Sequence, residues 1–296
     1  MFSNQALKKL IIPLVIEQLL VILVGFCDTI MVSSVGEAAV SAVSLVDSIN
    51  VLLINVFAAL GTGGAVVAAQ FIGQGSLEKA RFSAKQLLLI TAILSLIIMG
   101  VILLFNTSIL HLAFGNVDSG VMNNAETFFL VSALSYPFIA LYNSGAALFR
   151  AIGNSKISMI TSAIMNVINI IFNTIFIFGL KLGVLGSGLA TLIARMVCYI
   201  VILKCLTNKD NNLYVDDYRH WKFDLVYIKK ILTIGIPSGL ENGMFQFGKI
   251  LVQSLVATFG TYAIAANAVS NNLAQMQIIP GMAMSLAMVT VVRSEE

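Results

Sequence analysis

Long apolar runs separated by short polar segments constrain this chain more than any other feature of its sequence. About 20 helical residues, rising 1.5 Å each, cross the ~30 Å hydrocarbon core of a bilayer. Only 10% of the residues are charged, against about 25% in soluble domains. The sequence therefore predicts an all-α polytopic membrane protein with about eight transmembrane helices. The runs cover approximately residues 10–33, 46–72, 86–112, 126–149, 157–179, 186–206, 231–257 and 266–292.

Lysine and arginine are distributed unevenly between the two ends of these helices. With a cytoplasmic N-terminus, 14 of the 17 basic residues fall on the inner side, and the outer loops hold only Lys181. Cytoplasmic segments of membrane proteins are enriched in these residues. We therefore expect a multi-pass protein whose N-terminus is cytoplasmic.

The sequence partly repeats itself after a shift of 224 residues. Pro13 then matches Pro237 and Glu17 matches Glu241, and ten of the 56 positions from 12 to 67 are identical without a gap. Six helices separate the copies, so both have the same orientation, as in a parallel transporter repeat. The predicted divisions are a complete six-helix first lobe (1–206), a cytoplasmic linker (207–230) and two helices of a second lobe (231–296).

Asp28 lies inside the first apolar run. An aspartate at the centre of a bilayer costs about 2.5–3.5 kcal/mol on insertion scales, and intramembrane acids are usually functional. Asp28 is therefore a candidate for binding a proton or an ion. The alternative is a simple hydrogen bond between helices or a position near the water interface.

Several polar residues are predicted at the same depth as Asp28. Asn173 and Thr191 lie five or six residues from the outer ends of their helices, which places them ~8–9 Å below the outer surface. Asn169 and Asn166 extend the same helix face inward from Asn173. Carboxylate, amide and hydroxyl oxygens suit H⁺ or Na⁺. The alternative is that the asparagines only hold helices together, at about 0.6 kcal/mol each.

A second polar stripe is predicted toward the inner side. Glu17 lies 11 residues before Asp28, which is three turns on the same helix face, and Gln18 is beside it. Glu241 and Gln246 begin a matching stripe in the seventh helix. These four residues are candidates for a substrate path, with local pairing near the interface as the alternative. Val252 is the repeat mate of Asp28, so an acidic site of this kind belongs to the first half.

Three further features have less specific interpretations. Arg195 is predicted mid-helix, where it would pair or face a cavity. Asp47 is predicted in a first helical turn near the outer interface. The glycines of Gly61-Thr62-Gly63-Gly64 lie mid-membrane without a phosphate-loop pattern, which favours close helix contact or local unwinding.

The sequence gives no support for an enzyme. His111 and His220 are predicted on opposite sides of the membrane, and no hydrolase or zinc-protease motif is present. The three cysteines form no metal or disulfide pattern. We expect no catalytic residues, no cofactor, and no metal beyond Na⁺ at the coupling site.

The order of these motifs resembles the multidrug and toxic compound extrusion (MATE) family. The resemblance runs from Pro13 to Gln70, through residues 148–154, 169–173 and 186–191, and on through Pro237 to Asn272. It implies twelve helices in two six-helix lobes around a cleft. It also implies export of organic, often cationic, compounds in exchange for H⁺ or Na⁺, with partners limited to lipid and small molecules.

The resemblance assigns roles to particular residues. It implies that Asp28 is the cation-coupling acid, that Pro13 is the residue near which the first helix bends, and that Asn169, Asn173, Thr191 and Asn143 assist Asp28. Asn143 is predicted deeper than the others. Some family members have an acid where Asn173 stands, so the choice between H⁺ and Na⁺ stays open.

The sequence departs from the family after the eighth helix, where Arg293-Ser294-Glu295-Glu296 abandons the apolar pattern. We expect a truncated chain that does not transport alone; antiport by the reconstituted 296-residue chain would contradict this. One alternative is a non-transporting membrane remnant. Another is a lipid-linked oligosaccharide flippase of the same superfamily, but flippase cavities are basic, and only Arg195 and Lys249 are basic here within helices.

Overall fold

The computed structural model describes residues 4–115, 117–209, 213–215 and 223–293, and all regular structure within them is helical. The order of the elements agrees with the predicted all-α membrane fold. The helices are α1 (Asn4–Ser33), α2 (Glu37–Gly73), α3 (Leu77–Phe114), α4 (Ser119–Leu134), α5 (Tyr136–Ala151), α6 (Ser155–Asn173), α7 (Gly183–Thr207), α8 (Leu225–Ala257) and α9 (Thr261–Arg293).

Within the described residues, five helices are long and apolar enough to cross a membrane: α1 from Ile11, α2, α3, α6 with its continuation, and α7. The pair α4–α5 would make a sixth span. Large apolar side chains such as Leu104 and Leu112 are exposed on the outside, as expected for surfaces that face lipid. The predicted total of eight spans is not established by these criteria and stays a prediction.

α2 and α3 begin well before their apolar runs. α2 begins at Glu37 and α3 at Leu77, each nine residues before the predicted start. Both first turns carry an acid, Glu37 and Glu78, which is favourable beside the positive end of the helix dipole. A hydropathy pattern detects the part of a helix that lies in hydrocarbon and misses such polar ends.

The fourth predicted span is broken. α4 and α5 meet at Ser135 with a bend of 49°, and Pro137 lies in the first turn of α5. Proline has no backbone N–H and its ring clashes with the preceding turn, so the helix restarts there. The break places Ser135 and Tyr136, both fully buried, in the interior of the first six spans.

The 224-residue repeat is visible in the helix boundaries. α1 ends at Ser33 and α8 at Ala257, and the following helices begin at Glu37 and Thr261. The intervening loops carry Gly36 with φ of 132° and Gly260 with φ of 96°. Residues other than glycine rarely adopt such φ values. The two copies therefore form the same helix–turn–helix unit.

The mid-membrane glycines of α2 lie where other helices approach it. A Cβ on Gly61 would lie 3.3 Å from Ser144 Cα of α5, and one on Gly63 would lie 2.7 Å from the carbonyl oxygen of Ile231 in α8. A Cβ on Gly64 would lie 2.5 Å from Leu87 of α3. Close helix contact is therefore confirmed, and α2 stays helical throughout, so local unwinding is wrong.

The described parts of the linker are tied to the helices. Leu213 and Val215 are buried, and the Val215 N–H donates to the carbonyl oxygen of Leu206 at 2.8 Å. Arg81 lies over the Tyr214 ring at 3.8 Å. α8 begins at Leu225, earlier than predicted, so residues 225–230 are helical. Most of the remaining linker, Trp221 included, lies outside the described residues.

Glu17 forms a buried ion pair that joins three helices. Its side chain accepts from Arg150 Nη1 of α5 at 3.0 Å and from Ser158 Oγ of α6 at 2.7 Å. Glu17 is 6% exposed. A buried carboxylate is stable only when its charge and lone pairs are satisfied, so this cluster fixes α1 against α5 and α6.

We predict that Gly63→Ala destabilises the packing of α8 on α2. The added methyl group would meet backbone atoms of Ile231 and Gly235, and overpacking of this kind costs about 1–3 kcal/mol. Equilibrium unfolding in mixed detergent measures the loss. The matched control is Gly248→Ala on α8, where a Cβ meets nothing within 4 Å. Equal stabilities for the two variants would contradict the prediction.

We also predict that Arg150→Met destabilises the chain by about 3–5 kcal/mol, because it leaves a buried charge on Glu17 without its counterion. The double variant Glu17→Leu, Arg150→Met should recover most of that stability, since no charge is then left buried. Unfolding in detergent measures both, with Lys156→Met as the control at an exposed lysine. A double variant no more stable than Arg150→Met would refute the explanation.

Candidate cation site in the first six spans

Asp28 contacts α6 through one hydrogen bond that crosses between helices. Asn173 Nδ2 donates to Asp28 Oδ1. Asn173 is fully buried and Asp28 is half-buried. The sequence placed these two residues at one depth, and the structure brings them together. The carboxylate thus has a fixed partner on one side while part of it stays accessible.

Asn169 and Thr191 continue this polar cluster. Asn173 Nδ2 also donates to Asn169 Oδ1 at 3.0 Å, and Asn169 Nδ2 donates to Thr191 Oγ1 of α7 at 3.2 Å. The chain of hydrogen bonds therefore runs from α1 through α6 to α7. Four of the five residues predicted for the coupling site, Asp28, Asn173, Asn169 and Thr191, belong to one connected network.

Asn173 leaves an acceptor unused. Its Oδ1 is buried and has no hydrogen-bond partner among the described groups. An unsatisfied buried acceptor costs about 1–3 kcal/mol, and a proton on a neighbouring carboxyl group or a bound cation would satisfy it. α6 continues beyond Asn173 as a π-helical turn, Thr174–Gly179. π-helical turns inside helices are frequent at functional sites.

Asn143 and Pro13 lie outside the hydrogen-bond network of Asp28. Asn143 lies on α5 at the contact with Gly61, and its Nδ2 is buried without a partner among the described groups. It makes none of the hydrogen bonds of the Asp28 network. Pro13 lies inside α1, which is assigned as one helix from Asn4 to Ser33.

The four residues predicted for a substrate path differ in exposure. Glu17 is buried in its pair with Arg150, which is the local pairing that the sequence left as an alternative. Gln18 and Gln246 are half-buried, and Glu241 is exposed on α8. Their side chains therefore do not form one continuous stripe of accessible polar groups.

Asp47 lies much deeper than its sequence position suggested. Because α2 begins at Glu37, Asp47 lies ten residues along the helix, ~15 Å from its start, so the expected first-turn position is wrong. Asn50 Nδ2 donates to Asp47 Oδ1 at 3.1 Å, and the Tyr136 hydroxyl donates to Asn50 Oδ1 at 2.7 Å. If α2 had been predicted to begin at Glu37, Asp47 would have been recognised as a second acid within a membrane-spanning helix.

Arg195 lies near the middle of α7, as the sequence suggested. Its Nη1 donates to Ser135 Oγ at 2.6 Å, at the bend between α4 and α5. Asp47, through Asn50 and Tyr136, and Arg195, through Ser135, are therefore both tied to the bend between α4 and α5.

The oxygen ligands of the Asp28 network suit a small monovalent cation. Within the described residues, no group of three or more histidine, cysteine, aspartate or glutamate side chains could hold a metal ion. The Asp28 network instead offers carboxylate, amide and hydroxyl oxygens, which are ligands for hard cations. Protonation of the carboxyl group or binding of Na⁺ would neutralise the charge of Asp28.

Comparison with known proteins places this arrangement in a family. The MatE family model matches residues 13–175, which is more than half of the chain. The chain is 28% identical to an uncharacterized transporter, YisQ, of Bacillus subtilis strain 168, over 96% of this chain and 65% of that protein. It is 27% identical to the multidrug export protein MepA of Staphylococcus haemolyticus, over 92% of this chain and 60% of that protein.

Solved structures agree in fold. The MATE multidrug transporter DinF-BH superposes with a TM-score of 0.91 at 24% identity, over 98% of this chain and 65% of that chain. The chain thus spans 60–65% of the length of the relatives it matches. With the family match and the fold in agreement, the chain belongs to the MATE family of multidrug efflux transporters.

Proposed function

We propose that this chain works as part of a secondary antiporter that exports organic cations in exchange for H⁺ or Na⁺. The coupling ion binds at Asp28, assisted by Asn169, Asn173 and Thr191. The observation that carries this proposal is the hydrogen bond from Asn173 to a half-buried intramembrane carboxylate, beside an unused acceptor oxygen. The multidrug export protein MepA, a relative, supports the substrate class.

The chemistry of exchange follows from the charge of Asp28. An ionised carboxylate in a poorly solvated site is stabilised either by a small cation or by the positive group of a substrate. Binding of one removes the attraction for the other. Antiport requires such mutual exclusion, together with two conformations that bind the ion and the substrate with different affinities.

Helix α1 can respond to whether an ion is bound at Asp28. The Glu17–Arg150 pair fixes its inner half, and Asn166 Nδ2 donates to the carbonyl oxygen of Leu20 at 2.7 Å. The outer half is held by the contact between Asp28 and Asn173. A cation at Asp28 would change only this outer contact, so we propose that the outer part of α1 responds to the ion.

The remaining assignments belong to the same proposal. The N-terminus is cytoplasmic in a bacterial plasma membrane, which the distribution of lysine and arginine supports. Residues 1–206 form the first lobe, 207–230 the linker, and 231–296 part of the second lobe, which the matching bounds of α1–α2 and α8–α9 support. Gln18, Glu241 and Gln246 stay candidates for the substrate path, and Asn143 for an accessory role at the α2–α5 contact.

The protein transports and does not catalyse a reaction in this proposal, since its relatives are transporters. The comparisons with multidrug exporters do not favour the alternatives of a flippase or a non-transporting remnant. They leave open which ion and which compound are exchanged.

We predict that Asp28→Asn uncouples the ion from the substrate. Asparagine keeps the size of the side chain but cannot carry the negative charge. In the purified 296-residue chain, Na⁺ or acidification should displace bound tetraphenylphosphonium, and this displacement should be lost in the variant.

Glu78→Gln is the matched control, because it removes an exposed carboxylate at the start of α3. It should leave displacement and membrane insertion unchanged. Displacement that survives in Asp28→Asn would rule out Asp28 as the coupling residue. A folded wild-type chain that binds no organic cation would rule out the proposed function for this chain.

A further inference from the structure

Helix α8 is buried in two separate zones, with an unburied stretch between them. The buried residues fall into an inner and an outer group of three: Ile228, Ile231 and Gly235, and then Ile250, Gln253 and Ala257. None of residues 236–249, all of which the structure describes, is buried. The outer zone lies at the end of the molecule where α8 turns into α9 and α1 turns into α2. The two zones therefore hold α8 independently of each other.

The inner zone is fixed by close packing. The ring of Tyr227 meets the ring of Phe82 edge-on, with the centroids 5.0 Å apart. The backbone N–H of Asp224, which caps α8, donates to Gln86 Oε1 of α3 at 3.2 Å. At Gly63 of α2 the two backbones approach so closely that an added Cβ would lie 2.7 Å from a carbonyl oxygen of α8. Packed groups of this kind have little room to shift, so the inner part of α8 is fixed to α2 and α3.

The outer zone is held by side-chain hydrogen bonds instead. Gln253 Nε2 donates to Ser44 Oγ of α2 at 3.3 Å, and Asn267 Nδ2 of α9 donates to Gln253 Oε1 at 2.6 Å. The hydroxyl group of Ser41 in α2 donates to the carbonyl oxygen of Thr261, the first residue of α9, at 3.0 Å. Ser41 is fully buried, and Gln253 is 5% exposed. These five residues form an outer cluster whose hydrogen bonds can be exchanged for bonds to water.

The stretch between the two zones is a weak part of the helix. Residues 236–249 contain Pro237 and the glycines Gly239, Gly243 and Gly248. Proline lacks the N–H that would donate to the preceding turn, and a glycine inside a helix costs about 0.5–1 kcal/mol relative to alanine. Because none of these residues is buried, packing does not compensate. The bend of α8 can therefore change here at low cost.

The first copy of the repeat is built differently at the equivalent positions. The repeat mates of the three glycines are Val15, Leu19 and Val24. Leu14 and Glu17 are buried in this part of α1. Glu17 is paired with Arg150, whereas its repeat mate Glu241 is exposed. The middle of α8 is therefore held by fewer contacts than the middle of α1.

We propose that α8 is hinged within residues 236–249 and that the outer cluster is a latch. The latch holds the outer part of α8, together with α9, closed against α2. When its hydrogen bonds are exchanged for bonds to water, the outer part of α8 moves away from α2, and the inner part stays in place. The bond between Gln253 and Asn267 makes α9 move with it. This inference goes beyond the proposed function, because neither the coupling ion nor a compound takes part in it.

The test measures distances between spin labels at both ends of the purified 296-residue chain by pulsed electron paramagnetic resonance. The native cysteines are first removed by three substitutions: Cys27→Ser, Cys198→Ser and Cys205→Ser. The outer labels are attached at Leu180→Cys, in the turn before α7, and at Phe259→Cys, in the turn between α8 and α9. The inner labels are attached at Gln74→Cys and Leu225→Cys. All four positions are exposed.

Gln253→Leu should open the latch, because it leaves Ser44 and Asn267 without their partner in the closed state. Unpaired buried polar groups shift such an equilibrium by about tenfold. A change of ~10° at Pro237 displaces the end of the ~30 Å outer segment by ~5 Å. The outer pair should therefore gain a population whose distance is longer by about 5 Å. The inner pair should keep its wild-type distance.

Two further variants separate the hinge from the latch. Pro237→Ala, added to Gln253→Leu, should reduce the displacement of the outer pair, because alanine restores a helical hydrogen bond at the bend. Gln246→Leu is the matched control, since it removes a half-buried glutamine from the same helix outside the outer cluster. This variant should leave both distances unchanged.

Four results would overturn the inference. An outer distance unchanged in Gln253→Leu, or a wild type without a closed population, would refute the latch. Equal lengthening of the inner and outer pairs, or a displacement that Pro237→Ala does not reduce, would refute the hinge. If Gln253→Leu does not fold, Ser41→Ala decides by the same measurements, because it removes the hydrogen bond to Thr261.

Discussion

The close approach of other helices to α2 is the contact on which the arrangement of the remaining spans depends. Gly61, Gly63 and Gly64 lie on successive parts of α2 and face α5, α8 and α3. Lipid provides no hydrophobic force to push helices together, so association relies on tight packing between small residues. The absence of side chains here allows backbones to meet, and α8 is thereby placed directly against α2.

Polar side chains then fix α1 at three depths. Ser158, Asn166 and Asn173 of α6 donate to Glu17, to the Leu20 carbonyl oxygen and to Asp28. Hydrocarbon offers no water to satisfy such groups, so each must find a partner on a neighbouring helix. The contact at Glu17 is buried, whereas the contacts at Leu20 and at Asp28 each involve a half-buried residue of α1. The polar contacts of α1 with α6 are therefore most shielded from solvent at Glu17.

Much of the candidate site could be predicted from the sequence because depth along a helix follows from residue number. Asp28, Asn173 and Thr191 were placed at one level, and the network of hydrogen bonds joins them through Asn169. Asn143 makes none of these hydrogen bonds, because it lies on α5 at the contact with α2. The position of Asp47 ten residues into α2 was missed because a polar first turn conceals where α2 begins.

The sequence by itself determined the helical character of the chain, the order of its spans and the repeat that relates α1–α2 to α8–α9. These depend on local hydropathy and on residue spacing, which the chain carries wherever it folds. Only the tertiary structure decided which polar groups meet. Glu17 pairs with Arg150, Asp47 accepts from Asn50, and Arg195 donates to Ser135. Such pairings depend on the rotation and bending of helices distant in sequence, and here glycine contacts and one proline bend set that geometry.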